Sequence, residues 1–194
     1  MVWSRREALA GVAALACAQG GAARPLKEGS ASVMDHSTSP AGLHAFAFQT
    51  GGWRVQHRKL KHRLVGETGW FEFGGTCTAW ELLGGAGNVE DHFLDDPTGA
   101  YRAAGFRQFD PATGDWSIYW ADARRPGLDL PVHGHFEDGV GIFFGKDELN
   151  GRPISVRFRW SDITARTARW EQAFSPDKGT SWETNWVMAF ERVR

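Results

Sequence analysis

Tryptophan recurs at even spacing through the second half of the chain, with Trp116 and Trp120 in one short segment and Trp182 and Trp186 in another. Alternate residues of a β-strand share a face, so each pair stacks on one side of a sheet. In the last segment Trp182, Thr184, Trp186, Met188 and Phe190 take one face. Ser181, Glu183, Asn185, Val187 and Ala189 take the other. One side is large and aromatic, the other small or polar, so Trp186 is expected inside and Asn185 outside. The same alternation predicts strands over 53–65, 70–83, 89–94, 101–109, 116–122, 132–136, 140–146, 154–160, 168–174 and 182–191. Between them stand turn sequences such as Gly84-Gly85-Ala86-Gly87-Asn88 and Asp110-Pro111-Ala112-Thr113-Gly114-Asp115, where proline presets φ and glycine supplies the left-handed residue. No amphipathic helix interrupts the series. An all-β fold follows: a single antiparallel up-and-down β-barrel of about ten strands, closed so that no sheet edge is left exposed. Ten strands enclose more interior than the eight of the smallest barrels.

The amino terminus has a different character. Ser4-Arg5-Arg6-Glu7 leads into an apolar run from Ala8 to Ala18, and Ala16-Cys17-Ala18 offers an A-x-A cleavage site. A paired arginine, a short apolar region and small residues at a cleavage site make residues 1–18 a twin-arginine export signal, addressed to the periplasm or beyond. Acylation of Cys17 would make the protein a lipoprotein, but Ala14 stands where leucine is usual. Residues 19–42 are rich in Gly, Ala, Ser, Thr and Pro without periodicity and read as a flexible linker. The barrel domain is expected over 43–194, long enough to bury ~70% of its unfolded surface in one core. Beyond the signal only Cys77 remains, so the domain can form no internal disulfide, and a thiol amid Gly74, Gly75, Thr76 and Thr78 reads as a small hydrophobe. The formal net charge of the whole chain is −1, which recruits neither nucleic acid nor an anionic membrane. No later stretch is apolar enough to form an integral membrane helix.

Several runs resemble a known family. They are Phe48-Gln49-Thr50-Gly51-Gly52-Trp53, Arg58-Lys59-Leu60-Lys61-His62-Arg63-Leu64, Phe109 to Trp120, Arg169-Trp170-Glu171-Gln172-Ala173-Phe174-Ser175 and Trp182 to Met188. Together they are similar to an uncharacterised bacterial family of calycin-type barrels, relatives in shape of lipocalins. The resemblance covers 43–194 and implies a barrel with an interior cavity. It brings no assigned reaction, so function must come from the site.

With the tryptophan phase taken as inward, polar residues sharing it become candidates. Trp53 and His57 share a face, as do Trp70 and Glu72, Phe106 and Gln108, Trp170 and Gln172, and Thr184 and Trp186. Trp80 and Trp120 complete the expected ligand-binding set of Trp53, His57, Trp80, Gln108, Trp120, Trp170, Gln172, Thr184 and Trp186. Buried polar groups need partners. These either satisfy one another in the core or face a ligand in a wet, aromatic-walled cavity. His57 with Glu72 would make an acid–base pair for proton transfer, and His57 alone could serve as an axial haem ligand.

Other motifs carry less. His133, His135 and Glu137 alternate with the apolar Val132, Gly134 and Phe136, so they point outward, and no metal site is expected from them. The glycine run at 84–88 precedes a strand, whereas a phosphate cradle needs a helix N-terminus. Arg124-Arg125 sits in a loop at one barrel end, where it could gate the mouth or meet an anion. The expected function is binding of a small hydrophobic or aromatic molecule in the lumen. The alternatives are an isomerase, cyclase or lyase using His57 and Glu72, and a carbohydrate-binding surface module with tryptophans as platforms. No resident cofactor is expected, haem through His57 being the one that could be accommodated.

Overall fold

The computed structural model describes residues 41–193. The twin-arginine segment, Cys17 and nearly all of the expected linker lie outside them. Ten strands follow a short 3-10 turn at Ala47–Gln49. They are β1 (Gly51–Leu60), β2 (Trp70–Leu82), β3 (Gly87–Leu94), β4 (Tyr101–Asp110) and β5 (Asp115–Asp122). Then come β6 (Val132–Glu137), β7 (Val140–Leu149), β8 (Arg152–Ser161), β9 (Thr167–Ser175) and β10 (Glu183–Arg192). Each pairs antiparallel with its sequence neighbours, and β1 pairs with β10 from Trp53–Arg192 to Lys59–Trp186, closing the expected up-and-down barrel.

The inward set is mostly aromatic and aliphatic. Trp53, Phe143, Trp116 and Trp160 are among its largest fully buried members. Edge-to-face contacts join them into one core, as between Trp170 and Trp186, whose ring centroids lie 5.4 Å apart at 89°.

In β2 and β4 the phase is the opposite of that expected. Trp53 lies opposite Cys77 and His57 opposite Phe73, so Phe71, Phe73, Cys77 and Ala79 face inward. Trp70, Glu72 and Trp80 therefore take the outer face, and Trp80 is 49% exposed. Tryptophan alone misled here, because its partners on that face are Glu72, Thr76 and Thr78. In β4 the inward residues are Tyr101, Ala103, Gly105, Arg107 and Phe109, which leaves Gln108 on the surface. A charge in the middle of that strand made its true inward face look like the outer one.

A β-bulge shifts the phase once more in β10. Thr184 lies opposite Ala173 and Trp186 opposite Gln172, so Asn185 is an extra residue without a partner in the ladder. Asn185 is thereby turned in and fully buried, accepting a hydrogen bond from Gln172 Nε2 at 2.8 Å. Thr184 is displaced to the outward register with Ala173. Trp182 precedes the strand and leans on Phe144 and the Arg157 guanidinium. The expected pairing of Trp182, Thr184 and Trp186 on one face is thus corrected.

The bulge has a measurable consequence. Trp186→Ala should cost about 3–5 kcal/mol in urea unfolding, the scale of a large core truncation. Asn185→Ala should cost about 1–3 kcal/mol, because it removes a fully buried amide and its bond to the half-buried Gln172. Glu191→Ala, which removes only an exposed pair with Arg54, should fall within about 0.5 kcal/mol of wild type. An Asn185→Ala result as small as that of Glu191→Ala would contradict the inward turn of Asn185.

Candidate functional site

The two ends of the barrel are built differently. One is sealed by the segment leading into β1. Phe46 packs edge-on against Trp116 and Phe136, each at 5.0 Å. The Trp116 indole N–H donates to Gly42 O at 2.9 Å, and the Trp53 indole to Gln49 O at 2.7 Å. Beneath this plug lies a polar cluster. The Glu90 carboxylate accepts from Arg107 at 2.6 Å and from Gln49 Nε2 at 3.0 Å, and His92 Nε2 stands 3.3 Å away. Arg107 also donates to Asn88 Oδ1 at 2.6 Å and lies over the Phe46 ring. Glu90, His92 and Arg107 are all nearly or wholly shielded from solvent. Gly105 makes room for this, since a Cβ there would come within 2.5 Å of Glu90 Oε1.

Burial pushes the Glu90 carboxyl up, but Arg107 and His92 outweigh it and hold it well below the usual range. Burial and the Glu90 charge together push the Cys77 thiol far up, so it stays protonated. Cys77, Glu90 and His92 bring one ligand atom each within 4.8 Å of the others. The Arg107 guanidinium on Glu90 already supplies the positive charge that a metal ion would bring there.

The other end is open. A cavity of about 340 Å³ lies there, walled by Trp120, Trp170, Trp186, Phe158, Phe174 and Met188, with charged residues around its mouth. Its opening follows from sheet pairing. The ladder between β5 and β6 runs only from Trp116–Gly134 to Ile118–Val132, so the last residues of β5 lack a partner on that side. Residues 123–131 cross the gap, held by Asp129 N–H donating to Trp120 O at 2.8 Å. At the mouth Lys59 Nζ stands 3.2 Å from Asp96 and 3.1 Å from the Tyr101 hydroxyl. Arg124 pairs with Asp122 at 2.6 Å, and Arg125 with Asp129 at 2.6 Å. Burial lowers the Lys59 pKa against the pull of Asp96, and pushes the Tyr101 phenol up to about 12.

Of the residues expected at the site, Trp120, Trp170, Gln172 and Trp186 line this cavity. Trp53 is buried beside Phe190, away from it. Trp80, Gln108 and Thr184 lie on outward phases, as described above. Glu72 is on the outer wall, where it pairs with Arg58 at 2.9 Å. It cannot reach His57, so the expected acid–base pair does not form.

His57 itself is fully buried between the cavity wall and β2. Its ring stacks on Phe73 at 4.8 Å and 7°, and Nδ1 accepts from the Trp186 indole at 3.3 Å. Nε2 has no partner and lies against Gly75, where a Cβ would stand 2.9 Å away. With one nitrogen engaged by Trp186 and the other facing the barrel wall, His57 presents nothing to an axial haem position. It braces Trp186 from behind.

Sequence reasoning missed the charged inward residues: Lys59 and Arg63 at the mouth, and Glu90, His92 and Arg107 at the closed end. One signal was available for Lys59, which continues the i+2 series Trp53, Val55, His57.

The sequence matches no protein-family model and no curated protein. Among solved structures it is similar to the S-type phycobiliprotein lyase CPES from Guillardia theta, at 9% identity and a TM-score of 0.48, over 77% of this chain and 90% of that one.

His57 gives the site a pH signature. Burial first, then the charges of His92 and Lys59, lowers its pKa from 6.5 to about 3. The unfolded chain therefore takes up a proton that the folded chain refuses, so this stability is intact above pH 6.5 and declines as pH falls towards 3. Between pH 7 and 5 the loss should be about 2 kcal/mol, within a slope of about 1.4 kcal/mol per pH unit. Urea unfolding of His57→Gln should show a drop smaller by that amount. An equal drop in wild type and variant would mean that folded His57 protonates as readily as a free one.

Proposed function

We propose that the barrel binds a small hydrophobic or aromatic molecule in the open half of its lumen. The observation that supports this best is the cavity of about 340 Å³, whose walls are Trp120, Trp170, Trp186, Phe158 and Phe174. Binding sites for small organic molecules are clefts of roughly 300–1,000 Å³ with mostly apolar walls and a few convergent polar groups, and this one falls at the small end. Its aromatic walls suit a flat molecule, because rings pack edge-to-face or offset against one another. The sealed end matters equally. With Phe46 and the Glu90–Arg107 cluster filling it, a ligand has one way in and one depth at which to stop. Of the described tryptophans that would serve a carbohydrate surface most are turned inward; Trp70 and Trp80 on the outer face of β2 and the half-buried Trp182 are not.

We also propose that the twin-arginine signal of residues 1–18 places this binding activity outside the cytoplasm. A fold that closes without a disulfide suits a route that carries folded cargo.

The lumen is tested with N-phenyl-1-naphthylamine, a neutral, flat aromatic dye. It should bind saturably at one site, brightening while tryptophan fluorescence is quenched. Val156→Trp fills the cavity from the β8 wall and should weaken binding more than tenfold while leaving thermal unfolding cooperative. Absence of saturable binding, or equal affinity in a folded Val156→Trp variant, would overturn the lumenal reading.

A further inference from the structure

Most of the cations around the cavity mouth are paired; among the described residues the half-buried Arg63 and the solvent-exposed Lys146 are not. Lys59 has Asp96, Arg124 has Asp122, and Arg125 has Asp129. Arg63 lines the same cavity, yet among the described residues its guanidinium makes no hydrogen bond and no ion pair. Its Nε is buried without a partner, and its Cζ lies 5.7 Å from the Phe174 ring at the cavity wall. The nearby Glu183 attracts Arg63 through space but makes no ion pair with it, its Oε1 accepting instead from the Leu64 backbone N–H at 2.7 Å. That bond fixes the chain beside Arg63, where Leu64 holds a left-handed φ of 58°. Asp147 and Glu148 also line the cavity, but they are exposed on β7 and screened by water.

A half-buried guanidinium whose Nε is buried without an acceptor has donors left over for a ligand. Burial lowers its pKa, but from a value so high that the group remains charged at neutral pH. Arg124 and Arg125 press on it with like charge, although each is paired with its own carboxylate. Within the barrel the Arg63 guanidinium rests on the Phe174 ring, a contact that uses none of its hydrogen-bond donors. The arrangement makes sense if the missing acceptor arrives with the ligand.

We propose that Arg63 is the anion-recognition residue of the lumen, so that the bound molecule carries an oxyanion head group, a carboxylate or sulfonate, paired with Arg63 at the mouth while its apolar body lies against Trp170, Trp186 and Phe174. This rests on the lumenal reading above and narrows it from any apolar molecule to an amphipathic acid. The planar guanidinium fork matches two oxygens of such a group at once. Lys59, with three donors of which Asp96 and Tyr101 take two, can add a third contact.

Two dyes with the same rings test it. 1-Anilinonaphthalene-8-sulfonate carries an oxyanion, and N-phenyl-1-naphthylamine is the same framework without it. The wild-type protein should bind the sulfonate at least tenfold more tightly, and added salt should weaken the sulfonate alone. Arg63→Gln should weaken the sulfonate by about tenfold to a hundredfold, the scale of hydrogen bonds to a charged group, and leave the neutral dye unchanged. Arg63→Lys should restore part of the preference. Arg54→Gln removes the same charge from the outer wall and should change neither dye. If both dyes bind equally, or Arg63→Gln affects them alike, the anion site is wrong while the lumenal reading survives. If neither dye binds, the lumenal reading fails and the anion site with it.

Discussion

The Glu90 carboxylate, buried without access to water, sets the terms for half of this barrel. An ionised carboxyl in an apolar interior is tolerated only when donors surround it, and here Arg107, Gln49 and His92 do so. Each of those groups in turn fixes something else. Gln49 belongs to the turn that enters β1, so satisfying Glu90 draws the preceding segment across the barrel end. Arg107 needs an apolar face for its guanidinium plane and finds it in Phe46 and Trp160. Removing one partner of such a pair typically costs about 3–5 kcal/mol, because the other is left charged and dry. The plug and the ion pair therefore stand or fall together.

With one end sealed, the remaining interior is decided by how many side chains the strands can supply. The inward positions of β8, β9 and β10 carry large aromatics, but the short β5–β6 ladder leaves a gap in the wall beside them. A cavity forms where the wall thins and the aromatic side chains meet no partner on the facing side. His57 contributes indirectly, holding Trp186 by a hydrogen bond and a stack rather than by facing the cavity. Its neutral state follows from the same burial that makes it a good brace.

The architecture was legible in the sequence because alternation and turn chemistry act locally. Every predicted strand exists, with bounds shifted by a few residues, the largest change being the end of β1 at Leu60 instead of residue 65. The site was legible only where strands obey alternation with apolar residues inward, as at Trp120, Trp170, Gln172 and Trp186. It was lost in β3 and β4, where Glu90, His92 and Arg107 face inward, because a charge in a strand reads as solvated until its partner on another strand is known. Pairing across 17 residues, as between Glu90 and Arg107, leaves no local trace. Asn185 was lost for a different reason. A bulge changes phase by one residue, and every assignment before it in the strand inverts. Thr184 was displaced outward by that single step.

The central claim is that the lumen is closed at the Glu90–Arg107 end and open and aromatic at the other, where Arg63 stands without an ion-pair partner. A crystal structure of the protein with 1-anilinonaphthalene-8-sulfonate tests this most directly. The account places the dye rings among Trp120, Trp170 and Trp186 and the sulfonate on Arg63, with the plug around Phe46 unmoved. Dye seated on the outer wall, or inside only after displacement of the Phe46 plug, would contradict it.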